Sequence, residues 1–84
     1  MTELLGRVVI SKRGRDRGKR FVITGFQDED LVLIADGKLR KVEKPKKKKM
    51  KHLLFTDDRL EDVRESLDKG RDLVNAHVYS RLCD

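Results

Sequence analysis

The sequence predicts a mainly β domain: five short antiparallel strands rolled into a small barrel over residues 1–55, with a short helical C-terminal extension over residues 56–84. Three observations carry this reading. The apolar residues before Thr56 gather into short runs, Val8-Val9-Ile10, Phe21-Val22-Ile23 and Leu31 to Ala35, with the length and β-branched character of strands. The segments between runs leave no room for parallel crossovers, so neighbouring strands must return antiparallel. From Thr56 the period changes, and Leu60, Val63 and Leu67 fall on one helical stripe. A closed or nearly closed barrel of the SH3-like kind satisfies these constraints and protects the edges of a run such as Leu31 to Ala35.

The elements follow in order. Leu5 to Ser11 reads as the first strand and Lys19 to Phe26 as the second, with Phe21 and Ile23 on one face and Val22, Thr24 and Phe26 on the other. Gly25 interrupts the second strand and predicts a bulge that lets it serve both sides of the fold. The acidic turn Gln27 to Asp30 leads to the third strand, Leu31 to Ala35. Asp36-Gly37 then predicts a type I′ hairpin turn, which needs positive φ at both central positions, and Leu39 to Val42 is the expected returning strand. Pro45 ends that strand because it cannot donate to a ladder. Four consecutive lysines, Lys46 to Lys49, repel one another and are expected in solvent or against an anion. Met50 to Phe55 is the expected closing strand.

Beyond it, Asp58 with Glu61 fits a capping box, and Asp57, Asp58, Glu61 and Asp62 suit the first turn of a helix. Gly70 is expected to stop that helix. A second one is predicted over 71–82, with Val74, Val78 and Leu82 in register. Neither helix is stable alone at such a length, so each must lean on the barrel or on a partner.

Composition narrows the function. A chain of 84 residues buries only about 60–65% of its unfolded surface and has no room for a large cleft. Charged residues reach 43% and hydrophobic ones 37%, close to disordered chains, yet the clustering of the apolar residues argues for a folded domain with an overcharged surface. The net charge of +6 is uneven: residues 1–55 hold sixteen Lys/Arg against seven Asp/Glu, and residues 56–84 hold five against eight. The cationic half therefore suits a polyanion. A membrane surface is the weaker partner, since there is neither a basic amphipathic helix nor a run approaching the ~20 apolar residues of a transmembrane span; no membrane association is expected.

The stretch Gly6 to Ile23 concentrates the charge. Lys12, Arg13, Arg15, Arg17, Lys19 and Arg20 crowd nine residues between the first two strands, and Gly14 and Gly18 let that loop turn sharply toward whatever the cations attract. Asp16, in its middle, is expected to form an Asx turn or hold a neighbouring arginine. Lys38, Arg40 and Lys41 on the predicted hairpin, and Lys46, Lys47, Lys48, Lys49 and Lys51 beyond it, complete the candidate RNA-binding set. Such cations neutralise phosphates and release counterions; they position a nucleic acid without reading its bases. With only Phe21, Phe26, Phe55 and Tyr79 as aromatics, and the phenylalanines expected in the core, no single-strand stacking platform is predicted.

Gly6-Arg-Val-Val, Gly14, Arg17-Gly18-Lys19 and the apolar run after them resemble a KOW motif. Continuing through Leu33 to Val42 and Glu43 to Lys49, roughly the first two thirds of the chain is similar to the small bacterial KOW-domain RNA-binding proteins, themselves similar to large-subunit ribosomal proteins of the fourteen-e type. Phe21 stands where many KOW motifs carry glycine, which predicts an added core side chain. The resemblance implies the SH3-like barrel, ribosomal RNA as partner and ribosome association within the cytoplasm.

No catalytic residue is expected. No Ser-His-Asp order with supporting motifs, Walker loop or dinucleotide fingerprint is present, and Asp57-Asp58 reads as helix capping, so the chain is not expected to be an enzyme. His52 and His77 lie far apart and Cys83 is the one cysteine, which predicts no metal site and no cofactor. His52 is expected half-exposed on the closing strand or at the RNA. Met1 to Leu5 lacks the basic start and apolar core of a signal peptide, so a cytoplasmic protein is expected. DNA is a partner that charge cannot separate from RNA. A second reading, an SH3-like adaptor of the translation or transcription machinery, uses the acidic helices to bind ribosomal or transcription proteins and requires an uncovered patch over Leu60, Val63, Val74 and Val78. The free protein is expected to be a monomer.

Overall fold

The computed structural model describes residues 4–70 and 74–83. Five strands, β1 (Arg7–Ser11), β2 (Arg20–Phe26), β3 (Leu31–Ala35), β4 (Lys46–Lys49) and β5 (Leu53–Arg59), form one antiparallel sheet in the order β4-β3-β2-β1-β5. Two helices follow, α1 (Glu61–Asp68) and α2 (Asn75–Cys83). The architecture is thus mixed, a curled sheet with two helices. In a flat sheet the edge strands β4 and β5 would lie about 19 Å apart, four spacings of ~4.8 Å. A single 3₁₀ turn, Met50–His52, joins them, so the sheet must roll. It does not close: β4 and β5 share no ladder, and the expected barrel seam is absent among the described residues.

Rolling splits the core in two. Val9, Phe21, Ile23, Val32, Ile34 and Leu53 pack inside the curl, with Phe26 and Phe55 against them. Phe21 is the added core residue expected from the sequence, buried opposite Val9. Gly25 marks a register shift between β2 and β3. The shift turns Phe26 to the side of Phe21 and Ile23, as the predicted bulge requires.

On the outer face, Val8 and Val22 pack with Leu60, Val63, Val78 and Leu82. The helices therefore dock on the sheet. Of the patch that an adaptor would need uncovered, Leu60, Val63 and Val78 are buried and only Val74 is exposed.

Four local expectations are overturned: the 39–42 strand, the type I′ turn before it, the start of the closing strand and the capping box of the first helix. Leu39 to Val42 forms no strand. The Asp36 carboxylate instead accepts hydrogen bonds from the backbone N–H of Lys38 (2.8 Å) and Arg40 (2.9 Å), while the Asp36 N–H donates to the Arg40 carbonyl (2.9 Å). Only Gly37 has positive φ there, so no type I′ turn forms; the side chain caps the turn and outcompetes the hairpin.

The strand paired with β3 lies past Pro45. It is the tetralysine itself, with Val32 opposite Lys48 and Ile34 opposite Lys46. An edge strand tolerates lysines because alternate side chains reach solvent, and lysine there deters edge-to-edge pairing.

The closing strand starts at Leu53, and His52 ends the 3₁₀ turn rather than lying on that strand. β5 runs on to Arg59, which pairs with Arg7. Asp57 and Asp58 thus lie within β5, in the stretch where its register against β1 shifts, the N-cap of α1 is Leu60 without a side-chain cap bond, and the capping box does not form. α1 ends at Asp68, two residues before Gly70. The predicted start of the second helix, residues 71–73, lies outside the described residues. No helix among the described residues is long and apolar enough to cross a membrane.

Candidate nucleic-acid interface

The basic loop is held from beneath. At its base the Gly18 N–H donates to the Ser11 carbonyl (2.8 Å) and the Ser11 N–H to the Lys19 carbonyl (3.0 Å). Gly14 and Gly18 both sit at φ +86°. Asp16 turns inward and is buried. Lys46 Nζ donates to its Oδ2 (3.0 Å), and Lys48 Nζ (3.2 Å) and the Ser11 hydroxyl (2.8 Å) reach its Oδ1. Lys48 Nζ also donates to the Arg13 carbonyl at 2.8 Å. The expectation that Asp16 holds a neighbouring arginine or makes an Asx turn is corrected: its partners are lysines of β4. Of the tetralysine, expected in solvent or against an anion, Lys47 and Lys49 are exposed while Lys46 and Lys48 meet a carboxylate of the same chain.

Burial alone would push the Asp16 carboxyl up, but the hydrogen bonds from Lys46, Ser11 and Lys48, with the Lys46 charge, outweigh it and hold the pKa at about 2. Since the folded value lies below the unfolded one, the group stabilises the fold above pH ~4 and loses that contribution as pH falls toward ~2, a term of about 2 kcal/mol. Asp16→Asn is therefore expected to cost about 2 kcal/mol at pH 7, and the gap in Tm between it and the parent should close between pH 4 and 2. A gap that persists at pH 2 would place the lost interaction elsewhere.

With Asp16 inward, Lys12, Arg13, Arg15, Arg17 and Lys19 are exposed, and none of them forms an ion pair with a described residue. Arg15 and Lys19 meet Arg40 and Lys46 around an open cleft of about 400 Å³ between the basic loop and the 36–40 turn. On the loop's other flank, His52 is pushed below its ordinary pKa by desolvation and then by Arg13, Lys51, Lys49 and Lys48. The imidazole thus reports a concentrated positive potential. Lys41 and Lys47 are exposed as well.

Four candidates have other employment, the first being Lys46, whose Nζ lies 3.0 Å from Asp16 Oδ2. Lys48 is buried on Asp16. Arg20 donates to the Leu82 carbonyl (2.8 Å) and lies 3.5 Å from Asp58, where a cation complements the C-terminal end of α2. Lys38 lies over the Tyr79 ring, 5.2 Å from its centroid. Sequence reasoning missed Asp16 as the loop's anchor and Tyr79 as a neighbour of the basic surface. No local pattern could have revealed either, because Asp16 lies 30 and 32 residues from its lysines.

Among the described residues no group of three or more His, Cys, Asp or Glu side chains is placed to hold a metal ion. His77 instead pairs with Asp62, tying α2 to α1. No protein-family model matches the chain, and no curated protein matches it.

Proposed function

We propose that this chain is an RNA-binding module of the KOW type, related in role to ribosomal proteins and acting in the cytoplasm, which grips structured RNA through phosphates on its basic loop. One observation carries the reading: five exposed cations stand on a loop whose own carboxylate is consumed from below, so their charge is left uncompensated and preorganised. A merely solubilising surface needs no such anchor. Preorganisation lowers the ordering cost that flexible lysines and arginines would otherwise incur on binding. The strand order, a four-strand meander followed by a 3₁₀ turn and a fifth strand returning beside the first, supports the same assignment.

Recognition in this reading is led by the RNA backbone. A fluorescence-anisotropy titration of a labelled ribosomal RNA hairpin, single-stranded RNA and matched DNA duplex at several salt concentrations tests it. With about five phosphates engaged, the slope of log affinity against log salt is expected near −3.5 to −4.5, and the hairpin is expected to bind most tightly. Weak binding that is equal for all three would reduce the loop to generic electrostatics and end the proposal.

A further inference from the structure

The cleft beside the basic loop does not stop at the cations. It shares Lys19, Asp36 and Leu39 with a second open cleft of about 470 Å³ that also touches Tyr79 and Leu82. The two make one groove with unlike ends. At one end stand Arg15, Arg40 and Lys46. At the other, Leu39 is 70% exposed and Tyr79 38% exposed, with the Lys38 ammonium over the ring.

Asp36 sits where the ends meet and lines both. It is 92% buried by residue surface, being 8% exposed. Its Oδ1 accepts the two backbone N–H groups of the 38–40 turn. Its Oδ2 has no hydrogen-bond partner among the described residues and is not sealed from solvent. A lone acceptor in a cationic groove opposes polyanion binding unless the ligand brings a donor to it.

We infer that this groove takes one unpaired ribonucleotide of the bound RNA. Its phosphate lies against Arg15 and Arg40, its 2′-hydroxyl donates to Asp36 Oδ2, and its base rests on Leu39 and Tyr79. The inference rests on the RNA-binding reading and adds what phosphate contacts cannot supply, discrimination of ribose from deoxyribose. Cations line both ends of the groove, but Leu39 and Tyr79 with the Lys38 ammonium over the ring lie on one side of Asp36 and Arg15 and Arg40 on the other, a spacing that suits base, sugar and phosphate. A volume of several hundred Å³ suits a ligand of this size.

The test compares three RNAs of one stem sequence: a hairpin with a ribose loop, the same hairpin with a deoxyribose loop, and a blunt duplex without a loop. The wild-type protein is expected to prefer the ribose loop over the deoxyribose loop by about tenfold, the scale of a hydrogen bond to a charged acceptor. Asp36→Asn keeps an oxygen for the turn and replaces the charged acceptor with an amide N–H₂ that can only donate to the hydroxyl oxygen, so the preference should fall from about tenfold to about threefold or less, a neutral hydrogen bond standing in for a charge-assisted one. Electrostatics alone predicts the opposite, a uniform tightening on removal of a negative charge. Tyr79→Ala should reduce the preference for looped over blunt RNA by about tenfold.

Equal wild-type affinity for the ribose and deoxyribose loops would overturn the inference without any variant. Tight, salt-sensitive binding with no preference for a loop would overturn the groove and leave the phosphate-binding loop standing. Failure to bind any of the three would overturn both.

Discussion

Alanine at position 37 is expected to pry α2 from the sheet and to cost about 4 kcal/mol. Gly37 has φ +81°, and a Cβ built there would collide with the Asn75 carbonyl oxygen and lie 2.9 Å from the Tyr79 nitrogen. Both are backbone atoms of α2, so no side-chain rotation relieves the clash. The least costly escape is to separate the helix from the turn. That exposes Val78 and Leu82, at about 1.5–3 kcal/mol each when fully exposed. It also strains the Arg20 bond to the Leu82 carbonyl and the bond from the Val42 N–H to the Asn75 side chain (2.8 Å).

Urea denaturation with amide exchange would read this directly: α2 should lose protection while β1 to β3 keep theirs. Gly18→Ala is the internal comparison. Gly18 has φ +86° with nothing within 4 Å of the built Cβ, so only the backbone term applies, about 1 kcal/mol. Equal costs at the two positions would show that the helix does not press on the turn.

The second large effect concerns binding. Replacing Arg13, Arg15, Arg17 and Lys19 together with alanine removes four exposed cations and none of the ties that hold the loop, since Asp16, Ser11, Lys46 and Lys48 remain. The salt slope is expected to flatten by about 3 to 3.5, and affinity near 0.1 M salt to fall by roughly 10³-fold. Thermal stability should hold or rise slightly as like charges are removed. A folded variant that binds RNA with an unchanged slope would clear the loop of any role and shift attention to the flank formed by Lys49 and Lys51.

Much of the fold was legible because it is encoded locally. The β-branched runs became β1 to β3 within two residues of their predicted bounds, Gly25 took its register shift, and Phe21 joined the inner core. What failed was pairing. Asp36-Gly37 is a strong hairpin signal, yet the Asp36 carboxylate could satisfy two backbone N–H groups at once, and that local alternative won. The capping box around Asp58 failed for the converse reason: β5 ran on, through a register shift, to the pairing of Arg59 with Arg7 and absorbed the residues that would have capped α1.

The candidate interface divides the same way. Its cations could be named from the sequence because charge crowding between two strands is visible residue by residue. Which of them remain available could not. Lys48 and Arg20 look no different in sequence from Arg15 or Lys19, yet one ammonium is buried on Asp16 and one guanidinium is docked on α2.

By itself, the sequence determined the first three strands of the meander, the cationic character of the first half and the amphipathic stripe of the second, since propensity, periodicity and net charge are properties of neighbouring residues. Only the tertiary structure decided that a tetralysine would be the edge strand, that Asp16 would anchor the basic loop, and that Asp36 and Tyr79 would flank one groove. Those outcomes depend on partners 12 residues away, as between Ile34 and Lys46, or 32, as between Asp16 and Lys48, and a buried charge selects its counter-charge only once the chain has brought the two within hydrogen-bonding reach.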